Sequence, residues 1–526
     1  MAWRLAALVA AAALGAGGCG GDIPPAAPSG AEGPRLVPLS AVSVPSPVGS
    51  DVVDVAAAVR LGKVLFWDVQ VGSDGRTACA TCHFHAGADN RLENTIHPGP
   101  NGAFENVPGP GTLFAGGSLR GDDAVGSQGV VRALFVALPA SSQSAADECR
   151  QQSAPPFGRS RQVTARNSPT VIGAVFYRQN FWDGRAHDVF NGVDPFGTTG
   201  NAGPTRTRIG NASLASQAVG PPNSEVESAC SGRAFDGPDG LGAKLLARPP
   251  LQFQVVDPSD AVLGSYSNAP GTGLRCPGGT ACTYAQLIAE AFGPALAADA
   301  EGQFARIWGQ AVLAYESTLV PDQTPFDRHL AGAPDALTES EHLGFEVFQG
   351  KAACAECHAG PELSDATVDF AARNGLRNRD GGDQGFHNIG VRPSEEDLGR
   401  AAAGPRGIPF SLSGSPGDRG AFKTPGLRNV ALTAPYFHNG SKATLADVME
   451  FYVLGGEFAN PERSSLMRPL SLNRAEMEGL LAFMTHALTD CRVERQRAPF
   501  DHPSLPFPDG STLPAVGAAG TGPCPR

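Results

Sequence analysis

After its first few residues the chain has no apolar run long enough to span a bilayer, which leaves a soluble or tethered mature protein as the expectation. It has no surplus of positive charge. Its 40 Lys and Arg stand against 52 Asp and Glu, a net −12 at pH 7. That balance argues against nucleic acid and against an anionic membrane surface as partners. An acidic surface of this kind suits a basic electron-transfer protein. There is also no second C-x-x-C close enough to either of the two present to complete a Cys₄ zinc site.

Those two strings are the most informative feature of the chain. Cys79-Ala-Thr-Cys82-His83 and Cys354-Ala-Glu-Cys357-His358 are both C-x-x-C-H, the spacing of covalent haem attachment. Two thiols form thioethers to the porphyrin, and the adjacent His reaches the iron from the same side. With 11 Cys and 11 His in 526 residues, chance would supply only about 0.005 such strings. A redox C-x-x-C or half a zinc site does not explain a His at the same offset twice. Two covalent c-type haems are therefore expected.

The amino terminus bears on the compartment. Arg4, the apolar run Leu5–Leu14 and the small residues Gly15–Gly18 read as a signal peptide over 1–18. Ala16-Gly17-Gly18-Cys19 resembles a relaxed lipobox, which makes Cys19 a candidate lipid anchor. The expected location is the periplasm, as an outer-membrane lipoprotein if Cys19 is lipidated. Residues 19–50 read as a disordered linker. Setting Cys19 and the haem cysteines aside leaves six, an even number suited to disulfides in an exported chain. Of 15 connectivities, Cys276–Cys282, Cys491–Cys524 and Cys149–Cys230 are preferred.

The architecture expected is mainly α. The 66 Gly and 45 Pro are about a fifth of the chain and imply long loops between modest helices. Apolar spacing predicts helices over 52–67, 283–292 and 304–319. Thr338-Glu339-Ser340-Glu341 fits a capping box opening a helix to Gln349, and 445–454 and 474–487 also read as helical. Residues 98–165 and 188–280 read as loop-rich insertions. The organisation is then a haem unit over 51–320, a second over 321–490 and a Pro-rich tail over 491–526.

Further strings point to a family. Leu61-Gly62-Lys63-Val64-Leu65-Phe66-Trp67-Asp68 precedes the first haem string; Arg166-Asn167-Ser168-Pro169-Thr170 and Phe181-Trp182-Asp183-Gly184-Arg185-Ala186 follow it. Phe422–Val430 leads into Thr433-Ala434-Pro435-Tyr436-Phe437-His438. Over roughly 50–490 the chain resembles the bacterial dihaem cytochrome c peroxidase superfamily, which includes the MauG-type enzymes.

That resemblance implies two class-I cytochrome c-like haem domains carrying the long insertions. The haem on His83 would react with peroxide and the haem on His358 would transfer electrons, with Trp182 as relay between them. Gln217 and Glu227 match the distal active-site loop, Glu227 as the acid–base group and Glu225 as its local competitor. A Ca²⁺ would be held by the Asn167 side chain and the Thr433 and Pro435 carbonyls. Ordinary peroxidases carry a Met 14 residues after the residue matching His438, whereas here Tyr452 stands, as in MauG-type members. Tyr452 is thus the expected second ligand of the His358 iron, with Met449 as the alternative. His97, and less so His85, could cap the first iron in a resting state.

The function expected is reduction of hydrogen peroxide, with electrons from a small donor protein (a cytochrome c or cupredoxin) or from a protein substrate. The alternatives are a dihaem oxygenase of the rubber-oxygenase type and a non-catalytic dihaem electron carrier.

Overall fold

Helix starts follow their caps. The Thr338 hydroxyl accepts from the Glu341 N–H, and the Glu341 carboxylate accepts from the Thr338 N–H at 2.7 Å, so Glu339–Gln349 begins there. The same reciprocal box opens Leu445–Leu454 at Thr444/Asp447, Arg474–Ala482 at Asn473/Glu476 and Tyr284–Ala297 at Thr283/Gln286. Asp54 caps Val55–Trp67, three residues later than the apolar spacing suggested. The helix expected over 283–292 continues to Ala297 across a break at Gly293, whose φ of +78° interrupts the α conformation. That expected over 474–487 is α to Ala482 and then π over Phe483–Ala487.

These elements belong to a computed structural model that describes residues 36–141, 143–200 and 207–524. The signal peptide and Cys19 lie outside the described residues. No described helix is long and apolar enough to cross a membrane.

Two helix crossings organise the interior, each permitted by glycine. Val55–Trp67 lies against Phe304–Glu316, where a Cβ on Gly62 would meet the Ala311 carbonyl oxygen at 1.9 Å. Glu339–Gln349 lies against Arg474–Ala482, where a Cβ on Gly344 would meet the Gly479 carbonyl oxygen at 2.0 Å. Around the first crossing gathers an apolar core including Leu61, Val64, Leu65, Ile288, Trp308 and Val312. Around the second gathers another, with Phe326, Phe348, Met449, Leu480 and Phe483.

Of the described residues about 29% are helical, short 3-10 turns included, and 12% lie in strands or isolated bridges. Helix outweighs strand, as expected, but most of the described chain is loop and turn, and the first insertion is more structured than its composition suggests. Within 98–165 and its flanks, Ile96–His97 pairs Ala124–Val125, Gln128–Val131 pairs Arg161–Val163, and Ala133–Ala137 pairs Glu148–Gln151, all antiparallel. The expected disulfides are all present: Cys149–Cys230, Cys276–Cys282 and Cys491–Cys524. The first of them ties one insertion to the other.

Two segments read from composition as peripheral are packed. Within the linker expected over 19–50, Leu39 is buried in the first core and its N–H donates to Asp327 at 2.8 Å. In the tail, Leu505 joins the first core, His502 stacks on Trp67 at 4.7 Å, and Asp501 lies 3.5 Å from the buried Lys63 ammonium. Asp260 completes that buried cluster at 2.8 Å from Lys63.

Arg428 is a buried strut. Its guanidinium donates to both oxygens of Asp327, at 2.5 and 2.9 Å, and to the Pro361 carbonyl. Burial raises the Asp327 carboxyl, but Arg428 and the Leu39 and Thr324 donors outweigh it and hold it below the usual carboxylate range. Its contribution is therefore full above the ordinary Asp pKa and is lost as pH falls through the depressed one. Arg428→Ala leaves a buried carboxylate unpaired. It is expected to cost about 3–5 kcal/mol, read as a lower denaturation midpoint with unchanged denaturant slope.

Candidate functional site

Each C-x-x-C-H string places its side chains in a cavity wall, and each His is oriented the same way. His83 ends the short helix Ala80–His83, and its Nδ1 meets the Gly87 carbonyl at 2.8 Å. His358 Nδ1 lies 3.1 Å from the Pro425 carbonyl and 3.2 Å from that of Leu363. A carbonyl can only accept, so both Nδ1 atoms carry the proton and both Nε2 atoms keep a lone pair. Burial holds both imidazoles below their usual pKa, hence neutral, the form that binds a metal. Cys79, Cys82, Cys354 and Cys357 are the free cysteines among the described residues. Burial pushes the Cys82 and Cys354 thiols up to about 12.

Cys79, Cys82 and His83 line a slot of about 60 Å³ together with Gln217, Glu227 and Glu316. His83, Gln217 and Glu227 also line the adjoining main cavity of about 700 Å³. Gln217 sits in the last turn of the helix Ser213–Ala218. Burial raises the Glu227 carboxyl, with Arg185 and the Ser224 hydroxyl pulling the other way. Glu225 points elsewhere and pairs with Arg132 at 3.4 Å. His97 lines the main cavity, but its Nδ1 accepts from the Gly99 N–H at 3.2 Å. In that tautomer Nε2 carries the proton and offers a metal no lone pair. His85 joins a tight backbone pair with Ala88.

The second cavity, of about 180 Å³, is lined by Cys354, Cys357, His358, Met449 and Tyr452. Burial raises the Tyr452 phenol, and no hydrogen bond to its hydroxyl is formed among the described residues. Met449 shares this wall and belongs to the second apolar core, so both candidates for the second ligand face one space.

Trp182 lines both large cavities, as does His438. The Trp182 indole N–H donates to the Asn167 carbonyl at 2.8 Å, and the two rings lie 6.5 Å apart, edge to face. His438 stacks on Phe422 at 3.6 Å, and burial drives it down to about 3. The Asn167 side chain donates to the Pro435 carbonyl at 2.6 Å, so two of the three groups expected to hold Ca²⁺ are already in contact.

Sequence reading passed over several residues that the fold brings to these walls. Arg185 stacks on Phe181 at 3.7 Å and pairs with Asp183 at 2.9 Å; Asp183 also takes Arg166, which reaches Asp397. Lys423, buried above the Tyr177 ring at 3.3 Å and driven down to about 7 by that burial, lines the second cavity. His387 beside it holds Asp365 at 2.8 Å. Arg185, Asp183 and Lys423 stand inside the quoted strings, but only the fold shows which way they face.

Comparison with known proteins agrees with this geometry. The di-haem cytochrome c peroxidase family model matches residues 56–237. Over 505 residues, 91% of each chain, the protein is 26% identical to cytochrome-c peroxidase IdrP1 of Denitromonas iodatirespirans. It is 32% identical to the methylamine utilization protein MauG of Methylorubrum extorquens over 38% of this chain and 48% of that one. The chain is similar to the di-haem cytochrome c peroxidases and to MauG. Its enzyme class is that of oxidoreductases using hydrogen peroxide as acceptor. A solved MauG-like protein associated with microbial copper homeostasis is similar over 92% of this chain and 98% of that one, at 22% identity and a TM-score of 0.48.

The family implies two c-type haems, and the residues present fit them. Four unpaired thiols stand at the right offsets, two neutral histidines keep a free Nε2, and each set opens on a cavity.

Proposed function

We propose that this chain is a periplasmic dihaem peroxidase in which the first cavity receives hydrogen peroxide and electrons arrive by way of the second. Its proposed domains are 51–320 and 321–490, each a class-I cytochrome c-like haem unit. Cys79, Cys82 and His83 would hold one haem; Cys354, Cys357 and His358 the other, with the Tyr452 phenol as second ligand. Bound there, the haems supply iron able to exchange electrons one at a time. The protein supplies the rest. Reduction of hydrogen peroxide consumes two electrons and two protons and yields two waters. Glu227, facing the peroxide space from a wall it shares with His83, is placed to take a proton from one oxygen and return it to the other. Gln217 offers an amide to orient the bound molecule. Arg185 holds the Glu227 carboxyl from rising further.

The observation that carries this reading is Trp182, which lines both cavities, as its neighbour His438 does, and so offers a path between them through a single side chain. Its indole N–H is already satisfied by Asn167, which fixes the ring. Ca²⁺ at Asn167, Thr433 and Pro435 would brace the same strand of contacts, and oxygen donors suit that cation. A basic cytochrome or cupredoxin fits the net charge as donor, and Cys19 would tether the protein to a membrane.

Among the described residues no group hydrogen-bonds the Tyr452 hydroxyl, which favours a MauG-like variant, since a phenol so placed in the cavity it shares with His358 is free to ligate.

The test is a purified, signal-processed chain. Its mass should show two covalent haems, with one lost in Cys354→Ala. The oxidised wild type should react with hydrogen peroxide in a stopped-flow spectrometer. A single haem, or spectra inert to peroxide, would overturn the proposal.

A further inference from the structure

The first insertion brings three carboxylates together away from both haem cavities' cysteines. Glu105, Asp122 and Asp123 each present a ligand oxygen, all within 4.8 Å of one another. Each also spends an oxygen on shaping the loop. Asp123 Oδ2 accepts from the backbone N–H groups of Glu105 and Asn106, both at 3.0 Å, and from the Asn106 side chain at 2.8 Å. Asp122 Oδ2 accepts from the Asn101 N–H at 2.9 Å, and Glu105 Oε2 from the Asp122 N–H at 3.0 Å. The loop closes so tightly that a Cβ on Gly121 would fall 1.2 Å from Glu105 Oε2.

Glu105 Oε1 accepts from the Asn101 side chain at 3.3 Å, but one oxygen of each aspartate is not accounted for. Asp123 is only 2% exposed, yet its Oδ1 has no hydrogen-bond partner; the buried Oδ1 of Asp122 has none either. A buried carboxylate oxygen left without a donor costs free energy unless something positive meets it. No Lys or Arg does so among the described residues. Arg392, whose guanidinium reaches this edge, is spent on the Gly121 carbonyl and on Glu396. Three negative charges this close repel one another, and the protein supplies no counter-charge.

We propose that Glu105, Asp122 and Asp123 form a divalent-cation site, selective by its hard oxygen donors for Ca²⁺. Carboxylates of this number, some able to bind through two oxygens, with water filling the shell, match the six to eight oxygens Ca²⁺ takes. The site is separate from the one proposed at Asn167, Thr433 and Pro435 and draws nothing from it. It stands at the rim of the main cavity. Asp122, Gly99 and Pro100 line that cavity, and Ala124, next to Asp123, pairs with His97 across the short ladder. A bound cation would fix the 98–123 loop and with it one wall of the peroxide space.

The experiment uses the full haem-loaded protein, stripped of metal by chelator and titrated with Ca²⁺ by calorimetry. In an Asn167→Ala background one Ca²⁺ should still bind, with a Kd on the order of 10⁻⁴ M or tighter. Adding Glu105→Gln and Asp122→Asn should weaken that binding at least about tenfold, as two of three charged ligands go. Hydrogen exchange gives a second readout: Ca²⁺ should slow amides across 98–123 in the Asn167→Ala protein and leave them unchanged in the triple variant. If the Asn167→Ala protein is unstable, Glu105→Gln alone, at an exposed position, should lower the wild-type stoichiometry by one. Failure of Ca²⁺ to bind the Asn167→Ala protein, or equal binding by the triple variant, would overturn the site. Neither result touches the peroxidase reading.

Discussion

Glu227→Gln is expected to slow the reaction with hydrogen peroxide by ~10²–10⁴-fold, the share that general acid–base catalysis ordinarily carries. The amide keeps the size and the cavity wall but can neither take nor return a proton. The sign of the pH dependence follows from the environment. Burial raises the carboxyl above its usual range, and the proton-accepting form is the carboxylate. The wild-type rate should therefore fall as pH drops through that raised pKa. The Gln variant should lose this acid limb while keeping two haems and unchanged potentials. A merely structural role would slow the reaction without flattening the profile. An unaltered rate would move the proton transfer to another group, and Glu225, paired with Arg132, is poorly placed to receive it.

Tyr452→Met is the second large effect. A phenolate stabilises the oxidised iron and a thioether the reduced one. The substitution should raise the potential of the His358 haem by on the order of 0.1–0.3 V, a fraction of the roughly 0.8 V that axial ligands span. The oxidised wild type should lack the near-infrared band of His/Met ligation, and the variant should gain it. Were that band already present in the wild type, Met449, which shares the cavity wall, would be the ligand.

How much of this could be read from the sequence depended on the range of the interactions. Local ones were legible. The Thr338/Glu341 box put one helix at its observed bounds, and Leu445–Leu454 matched end to end. The C-x-x-C-H strings carry their own geometry, and the cysteine count led to three disulfides that the fold contains. Long-range interactions were not legible. Nothing near Lys63 says that its ammonium is met by Asp260 and Asp501, 197 and 438 positions on. The ladders of the first insertion run only two to five residues, too short for an alternating pattern to stand out from the loops around them. The turn at Phe181, with its φ of +62°, aims Trp182 and Arg185, and a positive φ at a phenylalanine leaves no trace in composition.

The return of the carboxy-terminal tail to the first core has a consequence for the order of assembly. Leu505 and His502 complete packing around Leu65 and Trp67, helix residues made more than 400 positions earlier. That core cannot close until nearly the whole chain has been synthesised, however early its own helices form. The second core draws on residues 326–488 and can close sooner. The cysteine pair made first thus sits in the half that shuts last.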